Sequence, residues 1–197
     1  MVRIGIDIND TIRAFTEQLE YTYNKYISNT INLTDNPMLS FDLLKYFPFE
    51  SNEELNNFLY REASLEIFGH ADELHTNLIN ELNNFVIEMA DFGGHKISLV
   101  SREVVSAIPS TCFFLSKTAC RVETIKFTQK YSDMWEDVDI LITANPDVLK
   151  EKPDDKVSVK VKTTYNTDSE SDFTIDSLFD FMTNNKIRTE IMNKVKK

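Results

Sequence analysis

A β-branched run that ends in an acid constrains this chain more than any other feature. Val2-Arg3-Ile4-Gly5-Ile6-Asp7-Ile8 is apolar at most positions, the pattern of a parallel strand buried on both faces. Its carboxylate arrives where the strand runs out, and Asn9-Asp10-Thr11 follows at once. Ile12, Phe15, Leu19, Tyr23 and Tyr26 then recur at helical spacing, so a strand feeds directly into a helix. Further along, Ile97–Val100, Pro109–Ala119, Val122–Phe127 and Val138–Ile142 alternate between strand-like and helix-like patterns. That alternation predicts an α/β fold, a Rossmann-like parallel sheet with crossover helices. Val157–Val161 alternates with period two and reads as an edge strand exposed on one side. A polar loop is expected at Asn166–Asp172 and a last amphipathic helix over Ile175–Val195.

Between Asn29 and Met89 the sequence changes character, with turn residues at Thr34-Asp35-Asn36-Pro37, many aromatics and no convincing strand. This stretch reads as a helical insert after the first βα unit. Ser51 and Glu54 form a capping-box pattern ahead of Leu55, Phe58, Leu59 and Ala63. A second amphipathic run, from Leu74 to Met89, closes the insert near Gly93-Gly94. The expected division is an α/β core of residues 1–28 and 91–197 with a helical insert of residues 29–90. A length of 197 residues suits one domain carrying such an insert.

A net charge of −11 argues against a nucleic-acid partner, because binding phosphates needs clustered Lys and Arg. The locally basic end, with Lys186, Arg188, Lys194, Lys196 and Lys197, is expected to be a solvated helix terminus. Cys112 and Cys120 match no metal-ligand spacing and are expected as buried thiols in a reducing compartment. No apolar run approaches the ~20 residues that span a bilayer, and no charged leader precedes an apolar stretch, so a cytoplasmic location is expected. His70, His75 and His95 show no metal-site spacing. Trp135 and the aromatics Tyr21, Tyr23, Tyr26, Tyr46, Phe47 and Phe49 are expected in the core.

Ligands of open α/β sheets bind beyond the carboxyl ends of the strands. Four such places stand out: Asp7-Ile8-Asn9-Asp10-Thr11, Ser101-Arg102, Lys130, and Thr143-Ala144-Asn145-Pro146-Asp147. In these residues, and over nearly its whole length, the chain resembles the haloacid dehalogenase superfamily of phosphotransferases. Within it, the resemblance is to the 5′-nucleotidase or deoxyribonucleotidase branch. The resemblance implies the superfamily topology, with the insert as a cap over the active site. It implies Asp7 as the attacking nucleophile and a magnesium ligand, and Asn9 at the place of the general acid and base. Ser101 and Lys130 match the phosphate-holding positions, and Thr11 and Arg102 are expected to assist them. The Asn145-Pro146 pair and Thr164-Tyr165-Asn166 look like features of the nucleotidase branch.

Two departures decide the functional expectation. Asn9 replaces an acid, and an amide can neither give nor take a proton at neutral pH, help that is typically worth ~10²–10⁴ in rate. Thr143-Ala144 stands where the branch carries acids for magnesium, which needs oxygen ligands including carboxylates. Asp10 and Asp147 are the nearby acids that could substitute. The leading expectation is therefore a degenerate nucleotidase-like domain with no cofactor, kept as a structural or interaction subunit of a larger oligomeric assembly. Its sequence style resembles nucleotidase-like proteins of tailed bacteriophages, which implies a virion or phage-assembly setting. The rival expectation is an active magnesium-dependent 5′-nucleotidase or phosphomonoesterase. A third is a nucleotide-binding sensor without turnover.

Overall fold

The structure, a computed structural model, describes residues 1–28 and 30–195. Asn29, at the expected start of the insert, and the basic residues Lys196 and Lys197 lie outside the described residues. Strands β1 (Arg3–Asp7), β2 (Lys96–Arg102), β3 (Thr124–Thr128), β4 (Ile140–Thr143), β5 (Val157–Val161) and β6 (Phe173–Ile175) form one parallel sheet in the order β3-β2-β1-β4-β5-β6. β1 lies at its centre because it can be buried on both faces: Ile4 and Ile6 are fully buried on one, while Gly5 faces the other. A Cβ at Gly5 would sit 2.8 Å from Val138 and 2.9 Å from Leu141, so only hydrogen fits there.

On the Ile4/Ile6 face lie α3 (Leu78–Gly93), α4 (Ile108–Lys117), α6 (Leu178–Thr183) and α7 (Asn185–Lys194). They bury Leu82, Phe85, Phe114, Phe181 and Ile191 against the strands. A smaller cluster of Val100, Met134, Trp135, Leu141 and Val148 covers the other face. The Leu74–Met89 run, expected in the insert, thus belongs to the sheet's core. α3 stops at Gly94, whose φ of +59° is the left-handed conformation that glycine adopts without strain.

The insert has its own core. α1 (Phe15–Tyr26) contributes Phe15, Leu19 and Tyr23, which pack with Met38, Phe47, Leu55, Phe58, Leu59 and Phe68. Ser51 accepts a hydrogen bond from the Glu54 amide and starts α2 (Asn52–Asn57). The Glu54 carboxylate reaches Glu50 N rather than the Ser51 amide, so only half of the expected capping box forms. Two π-helical segments follow, Phe58–Glu62 and Leu65–Gly69.

Several expectations are corrected. β5 is interior, not an edge: it lies between β4 and β6 and every residue of it is buried. The polar Ser158 and Lys160 face inward because the following loop folds over them. Lys160 Nζ donates to the carbonyls of Asn166, Thr167 and Ser169 at 3.3, 3.4 and 2.7 Å. The edge on this side is β6, a three-residue strand at the end of a polar stretch, and the opposite edge is β3. The last helix begins after β6 and breaks at Asn184, whose side chain accepts from Lys186 N and Ile187 N and so caps α7. Cys112 is exposed and Cys120 half-buried, because they lie on the outer side and past the end of α4. Tyr21 and Tyr26 are exposed on α1, facing away from the insert's core.

Candidate functional site

Asp7 ends β1 opposite Val100 and is 3% exposed. One carboxylate oxygen accepts the Ile8 amide at 2.7 Å and the other accepts the Thr143 hydroxyl at 2.6 Å. Burial raises its pKa to about 7; the two hydrogen bonds and Arg13 oppose the rise, and Glu103 adds to it. Thr143 ends β4, so the hydroxyl that replaces an expected acid is spent on holding Asp7. Ala144 N donates to the Thr11 hydroxyl at 3.1 Å. The Asn145 side chain caps α5 (Pro146–Lys150) by accepting Asp147 N and Val148 N. Asn166 Nδ2 bonds both Ala144 O and Val161 O at 2.8 Å. Asn145-Pro146 and Thr164-Tyr165-Asn166 therefore knit the loops beyond β4 and β5.

Asn9 is the residue most altered by its surroundings. Its amide oxygen accepts Arg13 Nε at 3.0 Å and Nη2 at 2.5 Å. Arg13 is fully buried and forms an ion pair with Glu103, Nη2 to Oε1, at 2.9 Å. The same glutamate oxygen accepts the Thr111 hydroxyl at 3.0 Å and the Ser101 hydroxyl at 3.4 Å. Desolvation lowers the Arg13 pKa while Glu103, Asp10 and Asp7 hold it up. A buried guanidinium so surrounded by oxygen remains charged.

A cavity of about 220 Å³ opens beyond Asp7 and Asn9. Arg102, Glu103, Asn145 and Asp147 line it from the sheet side, and Phe41, Tyr60 and Phe68 line it from the insert. Its volume falls below the ~300–1,000 Å³ of ordinary small-molecule sites. Of the expected site residues, Asp7, Asn9, Arg102 and Asp147 meet here. Arg102 is exposed, donates to Gln129 O at 3.2 Å and lies 4.8 Å from the Tyr131 ring. Asp147 pairs with Lys150 at 2.9 Å. Thr11 and Ser101 are buried behind the wall with their hydroxyls in internal hydrogen bonds, and Lys130 is exposed; none of the three lines the cavity.

Asp10 does not line it either. Held at a φ of +50°, it turns to a second cavity of about 330 Å³ on the far side of the loop. There its carboxylate accepts Thr16 N, the Thr16 hydroxyl and the Tyr165 hydroxyl at 2.9, 2.5 and 2.8 Å. Burial raises its pKa and these hydrogen bonds oppose the rise. Asp10 is thus a structural acid at the head of α1.

Magnesium demands near-octahedral oxygen, usually with one or two carboxylates from the protein. Here Asp7 is the one buried carboxylate free of an ion pair at the cavity wall. Thr143 offers a hydroxyl already donated, and Asn9 an oxygen already taken by Arg13. Among the described residues no group of three or more His, Cys, Asp or Glu side chains converges to hold a metal ion. The donor set does not fit the metal.

Arg13, Glu103 and Thr111 are the site residues that sequence reasoning missed. An arginine between Ile12 and Ala14 resembles an ordinary solvent-facing position. The only available signal for Glu103 was its place two residues past Ser101 at the strand rim.

The six-stranded parallel order, the acid ending the central strand and the insert after the first unit together define a haloacid dehalogenase-type fold. Solved structures share it. The chain is similar to a phosphonoacetaldehyde hydrolase-like protein from Oleispira antarctica, with TM-score 0.63 and 12% identity over 99% of this chain and 94% of that one. It is also similar to a haloacid dehalogenase-like hydrolase from Burkholderia xenovorans, with TM-score 0.54 and 10% identity over 94% and 96% of the two chains. A β-phosphoglucomutase-type protein from Thermotoga maritima gives TM-score 0.51 and 11% identity over 97% and 100%. At these identities the likeness is one of fold. No family model and no curated protein matches the sequence.

Proposed function

We propose that this chain is a haloacid dehalogenase-fold domain that does not hydrolyse phosphomonoesters and serves as a structural or interaction subunit of a larger assembly. The observation that carries the first half is the Asn9 side chain, a neutral amide whose oxygen is held by two N–H groups of a buried arginine. Nothing at that position can protonate a leaving group or activate water. Of the other acids expected or found around the site, Glu103 is committed to Arg13, Asp10 to Thr16 and Tyr165, and Asp147 to Lys150. Support for the second half comes from apolar side chains left in water. Leu65 and Phe113, 46% and 43% exposed, flank Gly69 on the seam between insert and α4, and Val105 is 65% exposed. The nucleotidase branch and a virion setting rest on the sequence resemblance.

The test is a phosphatase assay with p-nitrophenyl phosphate and the mononucleotides in the presence of magnesium. The expected rate equals that of Asp7→Asn, and turnover that vanishes in Asp7→Asn establishes the magnesium-dependent phosphomonoesterase instead. A silent protein brought to turnover by Asn9→Asp with Thr143→Asp and Ala144→Asp supports the degenerate site.

A further inference from the structure

We propose that Arg13 is the resident cation of this site: its guanidinium supplies the positive charge that a divalent ion would otherwise bring, and so keeps such an ion out. The proposal extends the non-hydrolytic reading and rests on it for the identity of the site, while its test reads metal occupancy rather than turnover.

A guanidinium has five N–H donors, and all of Arg13's are engaged. Nε and one Nη2 hydrogen go to Asn9 Oδ1, and the other Nη2 hydrogen goes to Glu103 Oε1. Nη1 donates to Thr111 Oγ1 at 2.8 Å and to Phe68 O at 2.9 Å. Amide, carboxylate, hydroxyl and backbone carbonyl are the hard oxygen donors that hold magnesium or calcium. In this chain they converge on an organic cation. The Phe68 and Phe114 rings, 5.0 and 5.5 Å from the guanidinium carbon, close its faces.

Charge explains the substitutions around it. Asp7, Asp10 and Glu103 are all buried near Arg13 and influence it electrostatically. One arginine against three acids leaves this group at most two negative charges. An acid at position 9 would add another against Glu103, and asparagine avoids that while keeping the oxygen that receives the fork. A divalent ion arriving beside the guanidinium would meet like charge at short range, in a wall too dry to screen it. The arrangement thus works as a closed electrostatic unit without any soluble ion.

Manganese, read by the electron paramagnetic resonance of the free ion, is the probe. Wild type is expected to leave it free at concentrations up to about 1 mM beyond the weak surface binding that Asp7→Asn shares, and its Tm is expected not to respond to magnesium. In Asn9→Asp/Arg13→Ala the vacated space is faced by the Glu103 carboxylate, the acid at the substituted position, the Thr111 hydroxyl and the Phe68 carbonyl, the places that hold the guanidinium in wild type. That variant is expected to bind manganese about tenfold or more tighter than wild type and to gain Tm with magnesium. Ethylguanidinium is expected to raise the Tm of Arg13→Ala and leave wild type unchanged. A wild-type manganese site abolished by Asp7→Asn overturns the proposal, and this arm needs no variant that lacks the arginine. A folded double variant that does not respond to metal, together with a folded Arg13→Ala that does not respond to ethylguanidinium, overturns it as well.

Discussion

Asp7 carries a pH signature that follows from its burial. Its folded pKa, about 7, lies above the ordinary carboxylate value near 3.8, so between those values the folded protein holds a proton that the unfolded chain has lost. This group's contribution therefore makes the protein less stable as pH rises from about 4 to 7, with the full penalty present above pH 7. Asp7→Asn removes the titration. At pH 8 it is expected to be more stable than wild type by about 1–3 kcal/mol, less than the full linkage value because the new NH2 replaces an oxygen that accepts one of the two donors, Ile8 N or the Thr143 hydroxyl. Denaturant melts at pH 5 and pH 8 check this, and an unchanged difference between the two proteins across that range refutes it. The Tyr165 hydroxyl tests the role of Asp10. Tyr165→Phe is expected to cost about 1–2 kcal/mol by leaving a buried carboxylate one donor short. In a double-mutant cycle with Asp10→Ala the two losses should be less than additive. The sequence exposed Asp7 and Asn9 as site residues because a motif at a strand end is local. It could not expose the Arg13–Glu103 pair, which lies 90 residues apart in the chain.

At the scale of elements, apolar periodicity located β1, β2, β4 and α4 closely, because these segments bury residues in the pattern their geometry dictates. It failed where burial comes from a neighbouring loop. β5 reads as half-exposed only until Lys160 is seen capping three carbonyls, and β6 is too short to carry a pattern. The sequence pattern of α3 fits the insert equally well, since an amphipathic stripe does not say which core it faces. The break between α6 and α7 was signalled by Asn184, a residue favoured at helix N-caps, yet the surrounding periodicity hid it. Asn184→Ala is expected to cost about 1 kcal/mol and to speed amide exchange at Lys186 and Ile187, the two amides its side chain accepts. Unchanged exchange there would show that the cap is idle.

For the whole molecule, Arg13 ties the motif loop to the insert through the Phe68 carbonyl and to α4 through Thr111. Insert and sheet are expected to unfold together in one transition. Arg13→Met leaves Glu103 buried without its partner, a loss on the order of 3–5 kcal/mol. Its expected mark is faster hydrogen exchange across Phe58–Gly69 relative to β1. Equal slowing or quickening in both regions would mean the arginine does not couple them. The α/β class with its parallel sheet was legible because strand and helix alternation is a global pattern. The ties between the two layers, Arg13 together with Ser64–Ser110 and Lys117 on the His70 and Ala71 carbonyls, were not, since nothing in the local sequence distinguishes a strut from a solvated side chain.

The placement of α1 also limits what can be removed from the chain. Phe15, Leu19 and Tyr23, three of its four buried residues, are packed in the insert's cluster and none in the sheet's. A chain cut back to its sheet layer would keep only Ala107 and Tyr165 of that cluster beside these three large side chains. The helix and the segment it covers therefore stand or fall together: α1 cannot shed its cover without turning its packed face to water.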